Sequence, residues 1–283
     1  MSDFYDFLAP AKINVFLHIT GQRADGYHTL QSAFQLLDFY DTLSLRPTND
    51  GLICRLNTIE NVAEQDDLCV RAAKALQQAT GCPKGVTIQI NKRIPMGGGL
   101  GGGSSDAATM LLALNHLWSL NLPRASLMEI GLTLGADVPF FIFGQNAWAE
   151  GIGEILTPLP LPSTYYVVLT PKIQVSTVKI FTHSGLTKDT KPLKIADFSN
   201  GANSKQFRND LEKIVCEEFT AVASTLEWLN QYGQARMSGS GASVFVKADS
   251  LAKAKTIFAQ KPNSVSGFIA KGLNQHPLYA LAK

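Results

Sequence analysis

The chain has 283 residues, 45% of them apolar and 17% charged, enough apolar material for one large core or two smaller ones. A net charge of +2, with no dense Lys/Arg block interleaved with aromatics, argues against a nucleic-acid or anionic-membrane partner. No apolar run approaches the roughly 20 residues that span a bilayer, the opening MSDFYDFLAPAK does not read as a signal peptide, and Cys54, Cys69, Cys82 and Cys216 lack metal or disulfide spacing, so the expected setting is a reducing cytoplasm.

In chain order, FLAPAKINVFLHI (7–19) is rich in Ile, Val and Phe and predicts a strand. Residues 21–30 form a loop by their glycines and Asp-Gly step. Residues 30–46 are ambiguous, ending as strand. Residues 66–80 repeat apolar positions at helical spacing, started by Asp66 or Asp67 and stopped at Gly81. GVTIQINKRI (85–94) alternates as a strand. After a glycine run come helices over 104–118 and 123–134. Residues 135–160 read as loop, strand, tight turn and strand. PLPLP (158–162) is the best boundary, because prolines restrict the chain and remove donors. Beyond it lie a strand (TYYVVLTP), a short helix (VSTVKIFTHSGL), a long helix or helix pair over 209–230, a loop into a strand over 235–248, a helix (LAKAKTIFAQ) and a last strand (SGFIAKGLN). Both parts mix helices and strands, so the class is α+β, with domains expected at 1–157 and 158–283.

PMGGGLGGGSSDAA (95–108) holds six glycines in seven positions. Glycine loses more backbone entropy on folding than any other residue. A flexible or close-packed structural loop is one reading. The other is an anion cradle, because the run sits between a strand and an apolar helix for which Ser104, Ser105 and Asp106 suit the cap and first turn. It is neither a Walker A loop nor a Rossmann fingerprint. Lys12, taken alone, reads as a surface lysine whose stem lies on the sheet. Asp137 in LGADVPFF reads as a helix cap or turn residue, or as a carboxylate held at a pocket floor. GYH (26–28) is a packed tyrosine beside an exposed histidine, or a clamp for a base. MSGSGAS (237–243) is a tight turn before a strand. His18, His116, His183 and His276 share no ligand spacing and read as structural or surface residues.

LAPAKINVFLHITGQRADGYHTL, PMGGGLGGGSSDAA and ARMSGSGASVFV resemble the three motifs of the kinase superfamily that includes galactokinase, homoserine kinase, mevalonate kinase and phosphomevalonate kinase. The resemblance spans essentially the whole chain. The GYH, the doubled GGG and the tail AKGLNQHPL resemble the branch whose alcohol substrate is a methylerythritol carrying a cytidine diphosphate group. The resemblance implies an N-terminal ribosomal-protein-like βα domain and a C-terminal ferredoxin-like domain, with the active site in the cleft between them. It implies ATP as co-substrate, with Mg2+, and transfer of the γ-phosphate to the 2-hydroxyl on the non-mevalonate route to isoprenoid precursors. Lys12 and Asp137 match the catalytic pair. Pro95, Met96, Gly97, Gly98, Gly99, Leu100, Gly101, Gly102, Gly103, Ser104 and Ser105 match the phosphate-binding loop, with Gly239 and Ser240 closing over it. Tyr27, His28 and Phe181 match the cytosine site, with Thr177 beside them, and Asn14 matches a contact to the methylerythritol portion. No magnesium ligand is assigned; Ser104 and Ser105 are candidates and equally helix caps. Ile59, Val62, Leu68, Lys92 and Arg93 lie where the resemblance places adenine and are not assigned. No protein partner is indicated. Within the superfamily, GYH separates this branch from the homoserine and mevalonate types, whose substrates carry no base. A regulatory protein that keeps the cradle and has lost the chemistry would not need both Lys12 and Asp137.

Overall fold

The structure, a computed structural model, describes residues 3–199 and 206–283. Two long strands, β1 (Tyr5–Gln22) and β2 (His28–Thr48), form an antiparallel hairpin through the whole molecule. The apolar content of 30–46 therefore belongs to strand, with Leu36, Leu37, Leu43 and Leu45 fully buried. The hairpin register shifts between Pro10 and Ala11, between Asn14 and Phe16, and between Ile19 and Gly21. Such bulges bend a strand and re-aim its side chains, and the middle one lies beside Asn14.

After β3 (Ile53–Arg55) comes α1 (Leu68–Thr80), which starts where Asp67 accepts the backbone N–H groups of Cys69 and Val70 and ends at Gly81 with φ +65°. These are the two signals that the sequence carries. β4 (Gly85–Asn91) leads into the glycine run and α2 (Gly102–Leu117). α3 (Arg124–Leu132) precedes α4 (Val138–Phe143), where a strand was expected. The run VPFFIF is apolar on every side because α4 is buried all round, so periodicity is silent; the Pro139 at its start and Gly144 at its end (φ +73°) are the helix signals. β5 (Ala147–Glu150) and β6 (Ile155–Pro158) close this half.

The second half holds β7 (Tyr165–Pro171), α5 (Thr177–Phe181), α6 (Ile195–Ser199), the pair α7 (Glu212–Glu218) and α8 (Thr220–Asn230), β8 (Arg236–Met237), β9 (Val244–Ala248), α9 (Leu251–Ala259) and β10 (Val265–Leu273). The sheet runs β3-β4-β2-β10-β7-β9-β8, with β1 and β5 also paired to β2. Among the described residues, β10 pairs with β2 only through Gly272 with Leu37 and Leu273 with Leu36, and the bridges Leu17 to Asn209 and Gln145 to Gln275 add to this junction of the halves. Gly272 lets the Gln35 side chain lie close: a Cβ there would stand 2.2 Å from the Gln35 amide nitrogen and displace it.

One core lies under α1–α4 and includes Ala282 from the chain's end. A second, under the helices of the other half, takes in Leu17, Ile19 and Leu30 from the hairpin. The hairpin thus contributes apolar side chains to both of these cores, and the middle of β1 packs in two further clusters, Ala11 and Ile13 in one and Phe16 in the other.

Candidate active site

Here the edge of β1 not paired with β2 gathers the motifs. The Lys12 N–H donates to the Leu100 carbonyl at 3.0 Å, tying the strand to the glycine run. The Asn14 N–H donates to Ser238 Oγ at 3.2 Å, and Ser238 Oγ–H donates to the Gly99 carbonyl at 2.8 Å. The Ser243 N–H donates to the Gly98 carbonyl at 3.1 Å. Three stretches far apart in sequence therefore meet backbone to backbone.

Close packing explains part of the glycine run. A Cβ on Gly99 would stand 2.0 Å from the Ser238 carbonyl oxygen, one on Gly98 2.7 Å from Ser243 Oγ, and one on Gly101 2.8 Å from the Phe141 ring. Gly97 differs: its φ is +66° and nothing stands within 4 Å of a built Cβ. Gly101, with φ +71°, is the N-cap of α2. The serines are therefore not the cap. Ser104 and Ser105 are the third and fourth residues of the helix, because a left-handed glycine turns the chain two residues earlier. Ser104 lines the adjoining cavity; Ser105 is buried, and its Oγ has no hydrogen-bond partner among the described residues. The amides of Gly102, Gly103 and Ser104 have no intrahelical acceptors, leaving donors and the positive end of the helix at the cavity.

That cavity, about 380 Å³, is bounded by residues 94–104, by Ile59, Val62, Asp66, Asp67, Leu68 and Cys69, and by Lys92 and Asp106. Lys92 bridges Asp41 and Asp106, at 2.5 Å from the latter. Burial lowers the Lys92 pKa, but the two carboxylates outweigh it and push it up to about 12. Burial raises Asp106 to about 7 against the pull of Lys92. Arg93 points elsewhere, its guanidinium 4.8 Å from the Phe39 ring centre.

Lys12 is not a surface lysine. It is 3% exposed, its Nζ lies 2.6 Å from Asn14 Oδ1 and 3.3 Å from Asp137 Oδ2, and it sits 5.0 Å from the centre of the Phe34 ring. A buried ammonium needs such partners, since unpaired it would cost several kcal/mol. The Asn14 amide donates to Ser32 Oγ at 2.9 Å, and Ser32 Oγ–H donates to the Phe16 carbonyl, so Asn14 Oδ1 is left facing the lysine. Asp137 heads α4 but its carboxylate bonds to no amide of that helix, which overturns its reading as a side-chain cap. Its side chain stays 35% exposed. A carboxylate 3.3 Å from a buried ammonium and still open to solvent is placed to accept a proton from an alcohol.

At the end of the hairpin, where His28 pairs with Gln22, the His28 side chain is buried and its ring centre lies 5.7 Å from that of Phe181. Burial, then the charge of Lys188, lowers its pKa, which favours the neutral imidazole. Its Nε2 has no partner among the described residues. Tyr27 is 61% exposed, its ring open to solvent. Thr177 Oγ1 and Ser240 Oγ are 2.8 Å apart, and a Cβ on Gly239 would stand 3.4 Å from Asn14 Oδ1.

The model of the GHMP kinases N terminal domain matches residues 67–145, and that of the GHMP kinases C terminal matches residues 184–262. The chain belongs to the GHMP kinase family. It is similar to the 4-diphosphocytidyl-2-C-methyl-D-erythritol kinase of Azoarcus sp. (strain BH72), 54% identical over 273 residues covering 96% of this chain and 95% of that one. The kinase of the same name from Cupriavidus necator is 54% identical over 279 residues, covering 98% and 96%. A crystal structure of 4-(cytidine 5'-diphospho)-2C-methyl-D-erythritol kinase superposes with a TM-score of 0.82 at 32% identity, covering 95% of this chain and 99% of that one. The mevalonate kinase of Methanococcus jannaschii shares the fold, with a TM-score of 0.70 at 16% identity over 96% and 99% of the two chains.

This GHMP kinase has the two-domain, mixed α/β fold of its family. Several residues that shape its site carry no signal in the sequence. Ser238 stands inside a quoted motif but reads as part of a turn. Ser32 and Asn209 carry no signal at all, yet the Asn209 amide donates to the carbonyls of Met237 and Gly239 at 2.9 and 2.8 Å and holds the third motif in place. Asp41 and Asp106 are found only once Lys92 is seen between them.

Proposed function

We propose that this kinase transfers the γ-phosphate of ATP to the 2-hydroxyl of 4-diphosphocytidyl-2-C-methyl-D-erythritol, giving the 2-phosphate and ADP, in cytoplasmic synthesis of isoprenoid precursors by the non-mevalonate route. The observation that carries it is the buried Lys12 ammonium between Asn14 and Asp137, on the strand that also anchors the glycine run. Residues 95–105 cradle the phosphates, with Gly239 and Ser240 above them; the free amides of α2 supply donors that match a polyphosphate. Asp137 accepts the hydroxyl proton. Lys12 pairs with that carboxylate and stabilises charge as the alcohol becomes an alkoxide. Asn14 holds Lys12 and meets the methylerythritol portion.

The nucleobase end rests on His28, Phe181 and Tyr27, with Thr177 tying the segment to the phosphate side. A neutral imidazole with an unpartnered buried nitrogen suits the hydrogen-bonding edge of cytosine, and the rings supply a stacking face. Mg2+ is the expected partner of ATP. Among the described residues no group of three or more His, Cys, Asp or Glu side chains is placed to hold a metal. The unpartnered Ser105 hydroxyl and the cavity-lining Ser104 are oxygen donors of the right hardness. One of them would hold the ion, with the nucleotide's own phosphates supplying most ligands. When bound, it screens phosphate charge. We take the domains as 1–157 and 158–283. Read from β7 to β10 the second unit is βαββαβ in order β10-β7-β9-β8, which supports a ferredoxin-like assignment beside a ribosomal-protein-like βα first domain.

The test is ADP release, with the product identified by 31P NMR, over 4-diphosphocytidyl-2-C-methyl-D-erythritol, mevalonate and homoserine. The reading expects efficient turnover of the first alone, with new phosphate on its 2-oxygen. Comparable turnover of the other two would overturn it.

A further inference from the structure

The cavity wall facing the glycine run is a loop with little apolar material to hold it. Between β3 and α1 only Ile59 and Val62 are half-buried among residues 58–66; the rest are exposed, and Asn61 stands at φ +60°. Ile59, Val62 and Asp66, with Asp67 and Leu68 just beyond, nevertheless line the cavity.

The side chains of Asn57 and Glu64 bond this segment to Ile90 and to the Arg55 backbone, and the Arg55 side chain joins more of it than either. Arg55 ends β3 and does not itself line the cavity. Its Nη1 donates to Asp67 Oδ2 at 2.7 Å, and its Nη2 donates to the Val62 carbonyl at 3.0 Å. Its backbone N–H donates to Glu64 Oε1 at 2.8 Å. The Arg55 and Asp67 side chains are only 5% and 6% exposed. The other oxygen of Asp67 caps α1 through Cys69 and Val70. A single planar fork thus joins the end of a strand, the middle of the loop and the start of a helix. A lysine cannot do this, having a point charge where arginine has two divergent edges.

We propose that Arg55 is a positioning residue for the nucleotide: it holds the wall formed by Ile59, Val62 and Asp66 in its binding geometry before ATP arrives. The assignment rests on reading the glycine-run cavity as the ATP site. With the wall preformed, binding does not have to order the loop. Loosening the wall weakens nucleotide binding and leaves chemistry at Asp137 untouched.

Two variants test it. Arg55→Lys keeps a cation beside Asp67 and loses the fork. The pair Arg55→Met with Asp67→Asn removes both charges together, so none is left buried and alone, and asparagine still caps α1; because Asp67 itself lines the cavity, Arg55→Lys is the variant that isolates the fork. KM for ATP, KM for the alcohol acceptor, kcat and the melting midpoint are measured for each. KM for ATP should rise about tenfold in both variants, with kcat and the acceptor KM within about twofold of the parent. A merely structural role would lower the melting midpoint and leave KM for ATP unchanged, or move both KM values together; either result overturns the proposal. Ile59→Arg, which obstructs the cavity directly, separates the two ways to fail. If it raises KM for ATP while the Arg55 variants do not, Arg55 has no such role and the cavity reading stands. If none of the three moves KM for ATP, the cavity reading falls and the proposal with it.

Discussion

Lys12 and Asp137 show how far a single residue can be read from its neighbours in sequence. The lysine sits between Ala11 and Ile13 in a strand, and a strand with both faces covered would bury it; nothing in the sequence says that both faces are covered. The aspartate precedes a proline-bearing helix and looks like a cap. Only the fold brings their charged atoms to 3.3 Å. The family motifs make the pair legible, whereas spacing does not. Asp137→Asn keeps the size and hydrogen-bonding capacity of the side chain and removes its basicity. It should lower kcat by about 10²–10⁴-fold, the usual range for a positioned general base, while the dissociation constant of an ATP analogue, measured by calorimetry, stays within about threefold. A kcat near the parent value would show that the carboxylate only orients the hydroxyl.

At the scale of elements, α1 and α2 differ in how well their starts can be read. α1 follows the rule in full, with Asp67 at its head and Gly81 at its foot. α2 begins at a left-handed glycine, so its two serines fall inside the first turn and a cap search places the start too late. α4 escapes periodicity altogether, since every face of it is buried. The glycine run unites two demands that the sequence shows as one string. Gly98, Gly99 and Gly101 are bare because other parts of the chain pack onto them, while Gly97 faces open space. Stability variants separate these demands. Gly97→Ala meets only the left-handed backbone cost of about 1 kcal/mol. Gly99→Ala adds a collision with the Ser238 carbonyl and should lower the unfolding free energy by about 3 kcal/mol, measured in urea. Equal losses would mean that the third motif does not press on the loop as described.

For the whole molecule, the mixed composition announces a mixed α/β fold, and the β10-β7-β9-β8 half follows the strand and helix order read along the chain except for α6 and the short β8, which that reading lacks. What the order cannot reveal is how the units share material. The hairpin β1–β2 feeds both cores, and the last residues return to the first one, where Arg124 holds the carbonyls of Tyr279 and Ala282, each at 2.6 Å. Such long-range closure depends on pairing partners far apart in sequence, of which local patterning carries no trace. It also puts three motifs on one edge of β1, the arrangement on which phosphoryl transfer depends here. A crystal structure with a non-hydrolysable ATP analogue and the cytidine diphosphate substrate tests this most directly. The account predicts the phosphates on the backbone of residues 97–105, with the terminal phosphate facing the substrate 2-hydroxyl within hydrogen-bond reach of Asp137. Phosphates bound away from that loop, or a hydroxyl presented to a surface remote from Lys12 and Asp137, would contradict it.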